Sequence, residues 1–311
     1  MLHRRVKAAP VRGALTLQTA PDRSLTTGIL LTLLTGCLFA SLDSVGKLLM
    51  ASVPVVQILW ARYLIHTMLV GAYLSGTTGS RFLRMRRPVA QLARGLALLC
   101  SSLFMYWGML HVPIAAATAM LFVTPVIVTG LSAVLLRERI GMHRIAAIVL
   151  AVAGVVLIVR PGAAGTSPWL LLPLLAAFTN AAFFMLTRAL AGADDSEATQ
   201  FNTTAIGSAA LTVAVATSWE TPTPPVAVLM LASGLLSLLG HYTLVRAFSY
   251  ASAARLSPFL YSQLIFATIF GTVVFGETPH PGMALGAVLI VGAGLSVWWR
   301  ESRLTALAPG A

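Results

Sequence analysis

LFVTPVIVTGLSAVLLRE (121–138) and LYSQLIFATIFGTVVFGE (260–277) are two apolar runs that each end on a glutamate, and they stand 277 − 138 = 139 positions apart. At that shift Thr129 falls on Thr268, Val134 on Val273 and Glu138 on Glu277. Further out, Ala115 falls on Ala254, Val149 on Val288 and Leu150 on Leu289. Matches between alanine- and valine-rich runs arise easily by chance. An acidic residue closing an apolar helix just before a turn does not, so Glu138 and Glu277 carry the signal of an internal repeat.

The rest of the chain fits the medium that such runs require. Hydrophobic residues make up 58% of the 311 positions and charged residues 10%, with a mean hydropathy of +0.87. That balance excludes an ordinary soluble domain. A helix needs about 20 apolar residues to cross roughly 30 Å of hydrocarbon, so the length accommodates about ten spans with short loops. Apolar runs punctuated by proline, glycine and charge give ten helices, at 27–49, 55–74, 95–111, 114–136 and 145–159, then 168–190, 198–219, 226–249, 253–275 and 281–299. The seventh carries Asn202, Thr203 and Thr204, which suits a helix packed inside a bundle.

The net charge of +12 would suggest nucleic acid in a soluble protein, but these basic residues lie between apolar runs and form no binding motif. They act instead as topology signals. Arg4, Arg5, Lys7, Arg12 and Arg23 precede the first helix, and Arg81, Arg84, Arg86, Arg87 and Arg94 follow the second. Arg137, Arg139, Arg144, Arg188, Arg246, Arg255, Arg300 and Arg303 fall on the same side, leaving Lys47 and Arg160 near the other. This bias predicts both termini in the cytoplasm. The first helix is too long, and followed by too many others, for a cleaved signal. Cys37 and Cys100 lie inside apolar runs and define no disulfide framework.

The expected fold is therefore an all-α polytopic membrane protein of ten transmembrane helices, arranged as two inverted five-helix repeats. A basic tail (1–26) precedes the first repeat (27–160), and the second repeat (161–299) precedes a short tail (300–311). An odd number of helices per repeat makes the second copy enter the membrane in the opposite sense, with Glu138 at the cytoplasmic face and Glu277 at the outer face. Such halves can exchange conformations around one midplane site.

Several stretches make the resemblance to a known family specific when taken together. They are FASLDSVGKLL (39–49), VVQILWARYL (55–64), LFVTPVIVTGLSAVLLRERIG (121–141) and GVVLIVRPG (154–162), with GHYTLVRAFSYA (240–251), SPFLYSQL (257–264) and FGETP (275–279) in the second half. The sequence resembles the ten-helix, EamA-like branch of the drug/metabolite transporter superfamily from about Thr27 to Arg303. That resemblance implies a carrier, and export more often than uptake. The expected location is the bacterial inner membrane.

Ionisable groups inside spans cost about 2.5–3.5 kcal/mol on insertion scales and therefore mark site candidates. Asp43 and Lys47 lie one turn apart on helix 1, as a local ion pair or as a substrate or proton site. Arg62 on helix 2 is placed to pair with Asp43, either locking two helices or facing the pocket, and His66 follows one turn later. His241 and Tyr242 stand on helix 8. Tyr106, Trp107, Phe122, Phe184 and Tyr261 are aromatic candidates for a cavity wall or for packing, and Thr124, Asn180 and Gln263 are neutral hydrogen-bonding candidates. Pro125 and Pro258 permit kinks in helices 4 and 9. Gly282 and Gly286 permit close helix contact, within the chain or across a homodimer.

The predicted activity is secondary active transport of a small polar or amphipathic metabolite, such as an amino acid or related compound, by alternating access. No glycine-lysine-serine/threonine phosphate loop appears, so a proton or solute gradient supplies the energy. No cofactor, metal or nucleic-acid partner is expected. The alternatives are an uptake permease for a metabolite or vitamin, and an intramembrane enzyme. The enzyme reading lacks a histidine-glutamate zinc pattern, paired midplane aspartates and a glycine-flanked serine nucleophile.

Overall fold

The computed structural model describes residues 22–135, 142–159, 167–190, 196–251 and 253–307. Among them there is no strand. The first half of the chain gives α1 (Asp22–Leu49), α2 (Val55–Thr77), α3 (Pro88–Met109), α4 (Ile114–Leu121), α5 (Thr124–Leu135) and α6 (Met142–Val159). The second half gives α7 (Leu171–Leu190), α8 (Ser196–Val215), α9 (Pro224–Tyr250), α10 (Ala253–Leu260), α11 (Ser262–Phe275) and α12 (Pro281–Leu307). Prolines start several of them. Pro88 and Pro224 occupy first-turn positions where the missing N–H costs nothing, and Pro54 and Pro113 immediately precede α2 and α4.

Eight of these helical stretches are long and apolar enough to cross a membrane, and Ile145–Val159 is a shorter apolar helix. Large hydrophobic side chains cover the outside, among them Met68, Tyr73, Val149, Val152, Ile265 and Val288. A chain that leaves these groups on its periphery is solvated there by lipid, and it is a multi-pass membrane protein. In α8, Asn202, Thr203, Thr204 and Ser208 turn inward and are buried against neighbouring helices.

Two of the expected helices are each broken in the middle. The helix expected over 114–136 splits into α4 and α5 around Phe122 and Val123, and that expected over 253–275 splits into α10 and α11 at Tyr261. The first break lies just before Pro125, whose ring and missing N–H disturb the preceding turn, whereas Pro258 sits inside α10 and the second break follows it by three residues. The two breaks lie 261 − 122 = 139 positions apart, and the rings of Phe122 and Tyr261 meet there at 4.9 Å between centroids.

Packing between the halves is reciprocal. Counting each broken pair as one helix, the first helix of one half packs on the third of the other in both directions, α1 on α9 and α3 on α7. The second packs on the second (α2 on α8), the fourth on the fourth (α4 on α11) and the fifth on the fifth (α6 on α12). Gly282 and Gly286 are used inside the chain. A side chain on Gly286 would meet the Gly154 carbonyl and Ile158 of α6, and one on Gly282 would meet the Leu157 carbonyl.

One arginine departs from its expected place. Arg94, counted above with the loop after helix 2, lies within α3, which begins at Pro88 rather than at residue 95. It is buried. Its Nε donates to Thr187 Oγ1 (2.6 Å) on α7, one terminal nitrogen donates to Thr203 Oγ1 (2.7 Å) and the Thr199 carbonyl (3.0 Å) on α8, and the guanidinium stands 4.8 Å from the Phe183 ring. Hydrogen bonds to a charged group contribute about 1.5–3 kcal/mol each, so Arg94→Met is expected to cost about 2–3 kcal/mol net and to lower the melting temperature of the purified protein by several degrees. A melting curve that superimposes on the parent's removes this clamp from the account. Arg137, Arg139, Glu138 and Arg160 lie outside the described residues.

Candidate functional site

Beside the two breaks lies a cavity of about 350 Å³, which Leu121, Phe122 and Thr124 line from the first and Leu260 and Gln263 from the second. Helical spacing explains which side chains reach it. On α1, Phe39 and Asp43 lie one turn apart; on α2, Arg62 and His66; on α9, Ser237 and His241. These three helices supply the acidic, basic and imidazole groups of the lining, Asp43, Arg62, His66 and His241. The apolar lining includes Leu98, Met105, Leu121, Phe122 and Phe184, and further polar members include Ser101, Ser102 and Tyr106 of α3, Thr124, Asn180, Thr204 and Gln263. The pocket is thus amphipathic, combining apolar side chains with a charged and hydrogen-bonding set.

Opposite charges in the lining are each held by neutral neighbours. Arg62 donates to Tyr106 Oη (3.1 Å) and Ser102 Oγ (2.9 Å), and its guanidinium lies 5.2 Å from the Tyr63 ring centre and 5.1 Å from that of Tyr106. Tyr63 Oη is 3.0 Å from the same Ser102 hydroxyl. Asp43 Oδ2 accepts from Gln263 Nε2 at 3.3 Å. The Asp43–Arg62 pair expected from the sequence is not formed at ion-pair distance, nor is the Asp43–Lys47 pair. Lys47 reaches instead to Glu277 Oε1 at 2.5 Å.

One turn along, the two histidines meet edge to face, with ring centroids 5.4 Å apart, and His241 meets Phe39 the same way at 5.2 Å. His241 Nδ1 is 2.8 Å from the Ser237 carbonyl, which fixes the proton on that nitrogen. His66 Nδ1 is 3.0 Å from Ser237 Oγ, and its Nε2 is buried without a hydrogen-bond partner. Among the described residues, no group of three or more histidine, cysteine, aspartate or glutamate side chains is arranged to hold a metal.

Of the residues singled out in the sequence, Asp43, Arg62, Tyr106, Thr124, Asn180, His241 and Gln263 all line this cavity. Four others do not. Lys47 lies a turn beyond Asp43, Trp107 and Tyr242 are 39% and 59% exposed on the outside of their helices, and Tyr261 stands behind Phe122. Thr124 spends its hydroxyl on the Leu121 carbonyl (2.6 Å). Sequence reasoning passed over Tyr63, Ser101, Ser102 and Ser237 and gave little weight to His66. The signal that finds His66 and Ser237 is their i, i+4 spacing from Arg62 and His241.

Known proteins share this chain's pattern over nearly its whole length. The model of the EamA-like transporter family matches residues 26–160 and again residues 167–298. Similar proteins include a pseudopaline exporter, CntI, of Pseudomonas aeruginosa, 28% identical over 86% of this chain and 95% of its own. A riboflavin transporter of Vibrio cholerae is 25% identical over 92% of each chain. An S-adenosylmethionine uptake transporter of Rickettsia bellii is 26% identical over 72% of this chain and 77% of its own. A crystal structure of 19% identity superimposes with a TM-score of 0.61 over 91% of this chain and 98% of its own, which speaks to the fold alone. With two family matches that together cover most of the sequence, this chain belongs to the EamA-like transporter family.

Proposed function

We propose that the chain is a secondary active transporter for a small amphipathic metabolite that carries both a positive and a negative charge, an amino acid or related compound. The observation that carries this reading is the separation of Asp43 from Arg62. Two opposite charges in one cavity gain by pairing at low dielectric, yet each is tied to neutral partners, Gln263 for one and Tyr106 with Ser102 for the other. A dipolar cargo completes both at once, its cation on Asp43 and its anion on Arg62, while its apolar part lies on Phe122, Phe184 and Met105. The 139-residue repeat, the paired breaks and the reciprocal packing support two inverted five-helix units that rock about this site. Gradient coupling, a bacterial inner-membrane location with both termini inside, and export as the net direction complete the proposal.

Counterflow in liposomes tests it with three probe sets: free amino acids, their N-acetyl derivatives and their amides. Losing one charge-assisted contact costs about 1.5–3 kcal/mol, so free amino acids should exchange roughly tenfold to a hundredfold faster than either derivative. Asp43→Asn should erase the discrimination against the N-acetyl set while leaving that against the amides. Equal exchange of the three sets, or no exchange of the free forms, overturns the reading. A second reading, uptake of a metabolite or vitamin, rests on the relatives named for S-adenosylmethionine uptake and riboflavin transport. Metabolite pools inside and outside cells with and without the gene separate the two directions.

A further inference from the structure

We infer that Lys47, Glu277 and the start of α4 form a closed gate over one mouth of the cavity. This inference rests on the carrier reading above but not on the identity of the cargo.

The N-terminus of α4 follows Pro113 and has no side-chain cap of its own. Orphan N–H groups at a helix start need acceptors, and an anion there gains from the helix dipole. The acceptor comes from the other half of the chain. Glu277 Oε2 takes the Ile114 N–H at 2.9 Å, while Oε1 takes Lys47 Nζ. Lys47 also donates to the Val112 carbonyl at 2.9 Å and lies 5.6 Å from the centre of the Phe275 ring. The carboxylate thus ties the end of α11 to the end of α1 and the beginning of α4, and both charged side chains are largely shielded from solvent.

Local structure aims Glu277 at that spot. Gly276 adopts a left-handed conformation (φ 64°), which ends α11 and turns the chain back. Gly271 leaves the space that the carboxylate fills, because a Cβ there would stand 2.5 Å from Oε2. At Gly46, between Asp43 and Lys47 in α1, the ring of the cavity-lining Tyr106 packs against the helix backbone.

The opposite end of the two broken helices is arranged differently. Among the described residues, α5 there lies against α6, α7 and α12, and α10 against α1, α9 and α12, rather than closely on each other. At the Lys47 end, α4 and α11 pack together. Among the described residues, then, the ion-paired latch is at the Lys47 mouth; Glu138, the repeat counterpart of Glu277, lies outside them. In the orientation expected from the arginines, the latched mouth is the outer one. Reaching the outward-open state requires Glu277 to release both the lysine and the helix start, and the breaks at Phe122 and Tyr261 let the half-helices swing.

Accessibility labelling tests this on the full chain without any cargo. A single cysteine replaces Leu98, which lines the cavity, in a Cys37→Ala, Cys100→Ala background, and a membrane-impermeant charged methanethiosulfonate is applied to intact cells and to inside-out vesicles. The parent should label from the vesicle side only. Glu277→Gln, Lys47→Met and Gly271→Ala should each raise labelling from outside by about tenfold or more, the shift in population that loss of a shielded ion pair can produce. Gly271→Ala leaves both charges in the sequence and unseats them sterically, so it guards against misfolding of the charge variants. Equal labelling of parent and variants from outside overturns the gate, and so does a parent that labels freely from outside.

Discussion

Arg62→Met is expected to reduce counterflow by at least about a hundredfold while the protein still reaches the membrane and elutes as a single species. The guanidinium makes two hydrogen bonds to cavity-wall hydroxyls and lies beside two tyrosine rings, and methionine replaces the volume but none of the donors. Losing charge-assisted contacts costs about 1.5–3 kcal/mol each, and one to the cargo plus the disordering of Tyr106 and Ser102 reaches the stated factor. Arg62→Lys should fall between, because an ammonium keeps the charge but cannot hold Tyr106 and Ser102 in one fork. The rival account is that Arg62 only locks α2 to α3. It predicts a lowered melting temperature with near-parental exchange in the surviving protein. Initial rates, normalised to reconstituted protein and read beside melting curves, decide between them.

The helical architecture was largely legible because lipid leaves a chain few choices. A run of about 20 apolar residues must satisfy its backbone internally, and a helix does so. Boundaries at prolines followed from the same logic, as at Val55, Ile114 and Pro281. The breaks were harder to see. Pro125 and Pro258 signalled kinks, but Phe122, Val123 and Tyr261 carry no helix-breaking chemistry. Pro125 accounts for the break before it, but Pro258 lies inside α10, and the meeting of Tyr261 with Phe122 is a contact that only the folded bundle supplies. The start of α3 was misplaced because Arg94 reads as a loop residue until three threonines of α7 and α8 are brought around it.

Site residues divide along the same line. Asp43, Arg62 and His241 were findable because an ionisable group in a span needs a reason to be there. Tyr106 and Trp107 show the limit of that reasoning, as do His241 and Tyr242. Neighbours in a helix point about 100° apart, so one of each pair faces the cavity and the other faces out, and residue type does not say which. Lys47 was assigned to Asp43 on local spacing. Its partner Glu277 lies 277 − 47 = 230 residues away, a contact that only the folded arrangement of the two halves brings about. The glutamate that marked the repeat therefore also ties its halves together.

Gly286→Val should leave little folded protein, the largest stability effect expected of any single change. The crossing of α6 and α12 is a contact between backbones. A Cβ on Gly286 would stand 2.5 Å from the Gly154 carbonyl oxygen and 2.7 Å from Ile158 Cγ1, and one on Gly154 would stand 2.7 Å from the Gly286 carbonyl oxygen. Neither oxygen can swing aside without unwinding its helix, so the helices must separate. In the membrane, interhelical packing of this kind is a main source of association, because lipid tails solvate apolar side chains as well as other helices do. For α6 the loss is acute, since its other side turns Val149, Val152 and Val156 outward and its apolar part, Ile145–Val159, is short. Overpacking against side chains costs about 1–3 kcal/mol, and pressing a branched side chain on backbone should exceed the upper end of that range. Gly292→Ala is the control, because its Cβ meets nothing closer than Leu150 Cδ2 at 4.0 Å. Size-exclusion profiles of detergent extracts should show the parental peak for Gly292→Ala and a collapsed or void-volume profile for Gly286→Val. A monodisperse Gly286→Val protein with the parent's melting temperature would mean that α6 is held by something other than this crossing.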